Sequence, residues 1–203
     1  MVSDRLIIQA TTEACGVYSL DQQMAAIKEL RPEAASFALR ELLPDPAGEQ
    51  LYADFFGWVA EAGILAQHIL YSPDEAKRLG DLIDRRILPH GAASVLFVLG
   101  RHADGIASDP LGLFSYIEAW GERGPWSVCA FGPSEIRVAA AAAALGGHVR
   151  VGFENNLQRA DGSLLESNAE QVERVASLAR SIGRPLIEIG AARMFGRPSG
   201  YLA

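Results

Sequence analysis

Residues 64–75 read ILAQHILYSPDE. Ile64 to Tyr71 is an apolar run of strand length, and Ser72-Pro73-Asp74-Glu75 follows it directly with an N-cap hydroxyl, a proline at the first helical position and a capping-box glutamate. A strand that passes straight into a well-signalled helix is the unit from which parallel sheets are built. Working outward, the same alternation recurs. Upstream, Leu6–Ala10 reads as a strand, Ser19–Leu30 as an amphipathic helix and Ala34–Leu39 as a strand. A helix around Gln50–Ala62 follows, with Leu51, Phe55, Val59 and Ala62 on one face. Downstream, Ser94–Leu99 (SVLFVL) is nearly continuously apolar, as a strand covered on both faces must be. Asp109-Pro110 opens a helix reaching about Arg123, Trp126–Ala130 is a strand, and Pro133 starts a helix ending at Gly146-Gly147. His148–Phe153 is the sixth strand, and Ser167-Asn168-Ala169-Glu170 is a capping box that begins a helix to about Ile182. The tail from Pro185 holds one short helix.

Six successive βα units over a single domain of residues 1–203 imply parallel strands with right-handed crossovers, either in an open doubly wound sheet or in a barrel. Neither GxGxxG after the first strand nor a P-loop is present, which shifts the reading toward a barrel without deciding it. In both architectures the chemistry gathers at the carboxyl ends of the strands. The candidates there are Thr11, Thr12 and Glu13; Arg40 and Glu41; Tyr71 and Ser72; Arg101 and His102; Ser134; and Glu154, Asn155 and Asn156.

A net charge of -7 and a pI near 5.1, with no basic stripe, exclude a phosphate-tracking nucleic-acid binder. No apolar run approaches the ~20 residues that span a bilayer, and Met1–Arg5 is too polar for a signal peptide, so a cytoplasmic protein with no membrane partner is expected. Cys15 and Cys129 lie far apart without a CxxC and read as buried thiols. Gly146 and Gly147 precede a strand, at the end opposite the expected site, and read as a helix cap rather than a phosphate cradle.

The segment HVRVGFENN, residues 148–156, places Arg150, Gly152 and Glu154 on one face if the strand's period of two is kept. A cation and a carboxylate would then share the opening, or would simply neutralise neighbouring strands. GGHVRVGFENN (146–156), with the Asp161-Gly162 turn and SNAEQVERVASLARSIGRPL (167–186), resembles the closing strand and last helix of the beta-keto acid cleavage enzymes, which include the 3-keto-5-aminohexanoate cleavage proteins. IIQATTE (7–13) with QQMAAIKELRPEAAS (22–36) is similar to that family's third strand and helix, FVLG (97–100) to its sixth strand and WSVCAFG (126–132) to its seventh.

The resemblance implies a (β/α)8 TIM-barrel type fold, of which the chain carries six units, the third to the eighth. It implies a divalent-metal enzyme, usually zinc, that takes acetyl-CoA as co-substrate and converts a β-keto acid to acetoacetate and a new acyl-CoA. Glu154 matches the metal-ligand glutamate, Arg150 the arginine that assists the base, and Thr11 and Ser36 the substrate-touching hydroxyls; Glu13 and Arg40 stand with them at the strand ends.

Three departures follow. No HxH pair is present among His68, His90, His102 and His148, and Glu154 alone cannot hold a catalytic zinc. His68 and His148 read as structural or surface groups, and His102 lies at the mouth. The family's general-base carboxylate is replaced by Asn155, whose amide cannot accept a proton near neutral pH. Gln67 and Ile69 of AQHILYS (66–72) stand at the family's acidic positions. The expectation is a truncated member of the family, active with an added amino-terminal segment and assembled as a homo-oligomer; the alternative is a non-catalytic remnant that binds a partner chain or a carboxylated metabolite.

Overall fold

The computed structural model describes residues 6–88, 94–100 and 107–193. His90, Arg101 and His102 lie outside them. The strands are β1 (Gln9–Thr11), β2 (Ala34–Ala38), β3 (Leu65–Leu70), β4 (Ser94–Leu99), β5 (Trp126–Ala130) and β6 (His148–Val149). Between and after them run α1 (Leu20–Leu30), α2 (Leu39–Leu42), α3 (Glu49–Glu61), α4 (Pro73–Asp84), α5 (Gly112–Trp120), α6 (Glu135–Ala144), α7 (Asn168–Ser181) and α8 (Ile189–Ala192). All strand pairs are parallel and the sheet order is β1-β2-β3-β4-β5-β6.

That strictly sequential order resolves the architecture. A doubly wound sheet reverses its strand order at a switch point, whereas a barrel wall does not. The two cores agree. Phe37, Leu70, Phe97 and Val128 pack with Ile27, Phe55, Leu79 and Val138 from the helices, while Ala38, Ile69, Leu96, Val98 and Cys129 form a separate cluster made of strand residues alone. The helices thus cover one face, and the other face is the inner wall of an incomplete α/β barrel.

Local signals act as the residues dictate. Ser72 Oγ accepts from the Glu75 N–H, and Glu75 in turn accepts from the Tyr71 N–H, one residue ahead of the reciprocal partner in a standard box. Ser167 and Glu170 repeat the device, with Glu170 accepting from Glu166. The Asp109-Pro110 signal makes a turn rather than a full helical start, with Asp109 Oδ1 accepting from the Leu111 N–H.

Four expectations need correction. Leu51 is 47% exposed, and the buried face of α3 is Tyr52, Phe55, Phe56 and Val59, because the helix is rotated to pack aromatics against Phe37. The first strand is three residues, shifted to Gln9–Thr11, and pairs with Ala34–Ser36 of β2. Cys15 is exposed, in a left-handed backbone conformation (φ 50°) ahead of α1, and only Cys129 is buried. The sixth strand is only His148–Val149; the Arg150 N–H still reaches the Val128 carbonyl, and Gly152 then begins a turn.

The Gly146-Gly147 pair divides its work. Gly146 takes the left-handed conformation (φ 92°), and the Gly147 N–H closes on the Ala142 carbonyl at 2.9 Å, which caps α6. A side chain at Gly147 would fall within the Trp126 ring, which is stacked on Phe97 and has little freedom to withdraw. Gly147→Ala is therefore expected to destabilise the fold by about 2–3 kcal/mol, against about 1 kcal/mol for Gly146→Ala, measured by urea denaturation. Equal effects at the two sites would show that the Trp126 contact is unimportant.

Candidate active site

The inner wall carries a polar row set by the parallel register: Thr11, Ser36, Gln67 and Ser94 are successive partners across β1 to β4. The row continues by contact, since Gln67 Nε2 donates to Ser127 Oγ at 3.4 Å. Thr11 and Ser36 are thereby brought side by side. Ser36 is buried and Thr11 exposed. The Thr11 hydroxyl accepts from the Glu13 N–H at 3.2 Å, so Glu13 sits on the turn immediately above. Thr12, turned the other way and buried, donates its hydroxyl to the Ser36 carbonyl.

On the opposite side, the Arg150 N–H donates to the Val128 carbonyl, the last rung before the chain turns. The Arg150 guanidinium Nη2 lies 3.6 Å from Glu154 Oε1 and 3.5 Å from Cys129 Sγ, while its Nε is buried without a hydrogen-bond partner. Arg150 and Glu154 meet as expected, but not by strand periodicity: residues 152–156 form a turn in which the Asn155 and Asn156 N–H groups both reach the Gly152 carbonyl. Glu154 is 68% exposed and Asn155 is buried. Burial pushes the Cys129 thiol up to about 11, against the opposing effect of Arg150, so it stays protonated near neutral pH.

Arg150, Gln67, Ser94 and Ser127 line one cavity of about 310 Å³ on this wall, together with Gln9 and the α8 residue Ala192. Arg40, the first-turn residue of α2, stacks its guanidinium 3.4 Å over the Tyr71 ring, and burial raises the Tyr71 phenol above its ordinary value while Arg40 opposes it. Tyr71 borders a second cavity of about 260 Å³ with Val98, Gly100, Asp109 and Tyr116. Neighbouring Glu41 accepts from the Ala14 N–H. Ser72 and Ser134 serve helix starts, the first through its side chain and the second through its carbonyl.

Of the two described histidines, His68 is fully buried on the helix side, with Nδ1 3.0 Å from the Tyr52 hydroxyl, and His148, the register partner of Ser127, is half-buried at the amino end of β6, away from the carboxyl ends of the strands. The Glu135 cluster escaped the sequence reading. This carboxylate is 5% exposed at the start of α6 and accepts from Asn156 Nδ2 at 3.1 Å and Gln171 Nε2 at 3.0 Å. Its only sequence signal was an acidic residue in a first helical turn, which is common.

A family model described as beta-keto acid cleavage enzyme matches residues 2–195. The chain is 41% identical over 97 residues to a 3-keto-5-aminohexanoate cleavage enzyme of Fusobacterium nucleatum, a stretch covering 48% of this chain and 35% of the relative. It is 30% identical over 112 residues to a 3-oxoadipate:acetyl-CoA acetyltransferase of Cupriavidus necator, covering 54% of this chain and 39% of that one. The match therefore spans little more than a third of each of these relatives. Among solved structures, the apo structure of ObcA superposes with a TM-score of 0.64 at 17% identity, covering 94% of this chain and 51% of that one, a likeness of fold alone.

Proposed function

The chain belongs to the beta-keto acid cleavage enzyme family, and from that premise we propose that it takes part in converting a β-keto acid and acetyl-CoA into acetoacetate and a new acyl-CoA. In that exchange the α-carbon of the keto acid loses a proton and attacks the acetyl thioester carbonyl, releasing CoA thiolate. The thiolate then attacks the original keto carbon, whose bond to the α-carbon breaks. The electron pair stays with the acetoacetate fragment, which takes the proton back.

The observation that carries the reading is the guanidinium of Arg150, half-buried and 3.6 Å from Glu154 at the carboxyl end of the last strand. A fixed cation there matches the negative charge that develops on the enolate. Thr11 and Ser36 supply hydroxyls to the substrate, with Glu13 and Arg40 as outer contacts, and the Tyr71 stack holds Arg40 in one orientation. Asn155 is given a hydrogen-bonding role only, because an amide does not take the α-proton.

Glu154 is the carboxylate this chain would offer to zinc. A catalytic zinc needs three protein ligands, and among the described residues no three His, Cys, Asp or Glu side chains come together. These residues do not by themselves make up a zinc centre. The same observation favours a second reading, a non-catalytic chain that binds a carboxylated metabolite or a partner chain through Arg150 and the hydroxyls. Self-association into a homo-oligomer is part of the proposal, supported by the exposed Leu6 and Ile8 before β1. So is a cytoplasmic location; among the described residues no helix is long and apolar enough to cross a membrane.

The test is acetyl-CoA-dependent release of acetoacetate from a panel of β-keto acids, read beside the zinc content of the same sample. Turnover with bound zinc is expected from the longest natural product of the gene. Neither zinc nor turnover in that product would reject the enzymatic reading and leave the binding one.

A further inference from the structure

Among the described residues only Arg150 grips the exposed Glu154 side chain, so its position depends on the backbone of the turn that carries it. That turn is fastened from three sides. The Gly132 N–H donates to the Asn155 carbonyl at 3.0 Å, and the Phe153 N–H donates to Asn168 Oδ1 at 2.8 Å. Asn156 ties the turn to itself, donating to the Gln158 carbonyl and accepting from the Gln158 N–H, while Gln171 donates to the Asn156 carbonyl at 2.9 Å. Asn156 and Gln171, from the turn and from α7, both aim an amide at the same oxygen, Glu135 Oε2 on α6.

We propose that Glu135 is a positioning residue: its buried carboxylate, gripping Asn156 and Gln171 together, fixes the turn of residues 152–158 and hence where Glu154 stands relative to Arg150. The proposal rests on the functional reading of Arg150 and Glu154 given above. A carboxylate buried among neutral amides is costly to desolvate, a cost that packing alone does not call for. It serves a clamp well, because it accepts only and so forces both amides to present their N–H groups to it. The network joins α6, α7 and the turn at one point, Glu135 Oε2; among the described residues Glu135 Oε1 and Gln171 Oε1 are buried without a hydrogen-bond partner, so the grip rests on that single oxygen.

The test is amide hydrogen exchange across residues 150–158 of the full chain, compared among the natural protein, Glu135→Leu and Glu135→Gln. The leucine variant removes the acceptor, and exchange in the turn is expected to rise about tenfold or more while β3 and α4 stay unchanged. The glutamine variant keeps an oxygen for both amides and is expected to stay within about threefold of the natural protein. Should Glu135→Leu fail to fold, Glu135→Ala removes the same acceptor without the bulk of leucine and is expected to loosen the same peptide. Unchanged protection in the variants that remove a partner, or equal loosening with glutamine and leucine, overturns the inference. Acetoacetate release measured alongside separates the two levels: absent turnover in the natural protein rejects the proposed activity, while the exchange data still decide the clamp.

Discussion

Arg150→Ala is expected to lower acetyl-CoA-dependent acetoacetate release by about 10²–10³-fold, with little change in thermal stability. A preorganised donor facing the charge of a transition state contributes on that scale when removed singly. The folded state loses little, because the ion pair with Glu154 is largely open to solvent and such pairs contribute well under about 1 kcal/mol. The steady-state constants carry the diagnosis. If Arg150 stabilises the enolate, kcat falls with kcat/KM; if it merely binds the ground-state carboxylate, KM rises while kcat is kept. Arg150→Lys restores charge but not the planar fork, and partial recovery is expected. Unaltered turnover in Arg150→Ala would remove the basis of the enzymatic reading.

A second large effect is expected on acid stability, from His68. Its ring is fully buried among Tyr52, Phe37 and Phe56, and burial pushes its pKa from the ordinary 6.5 down to about 3. The Tyr52 phenol, itself raised by burial, stays protonated and shares a 3.0 Å hydrogen bond with His68 Nδ1, beside a ring that burial keeps neutral. A group with a depressed folded pKa gives stability that is complete above its unfolded value and lost as pH falls toward the folded one. The window is therefore from about 6.5 down to about 3, and the loss is on the order of 4–5 kcal/mol. Urea denaturation at pH 7 and pH 4 on the natural protein and on His68→Gln checks this. The variant, weaker at neutral pH through lost packing, should show a distinctly shallower decline. Parallel declines would mean that His68 does not govern the acid limb.

These two residues also show what the sequence could and could not disclose. That His68 faces the helices follows from its alternation with Gln67 and Ile69, and Ser94–Leu99 and Trp126–Ala130 are read to the residue because period and apolarity agree over a whole strand. The same alternation misleads at the end of β6. It predicts Arg150, Gly152 and Glu154 on one face of a strand, whereas the chain bends at Gly152, whose carbonyl accepts from the Asn155 and Asn156 N–H groups of a turn. Arg150 and Glu154 still meet, through a turn instead of a pleat. Leu51 fails for another reason: helical spacing defines several possible stripes on α3, and only the aromatics waiting on β2 and β3 select among them. Glu135 was illegible because its meaning lies in Asn156 and Gln171, 21 and 36 residues further on, whose convergence is a tertiary fact.

The unbroken order of the strands has a consequence for how such a chain can grow. Each unit leans on the one before and the one after, so neighbours along the polypeptide are neighbours in space; the Arg193–Glu33 ion pair, spanning 160 positions, stands out as a link that jumps the series. A wall built this way can be lengthened at its outer courses without disturbing the masonry already laid, because no interior strand must yield its place.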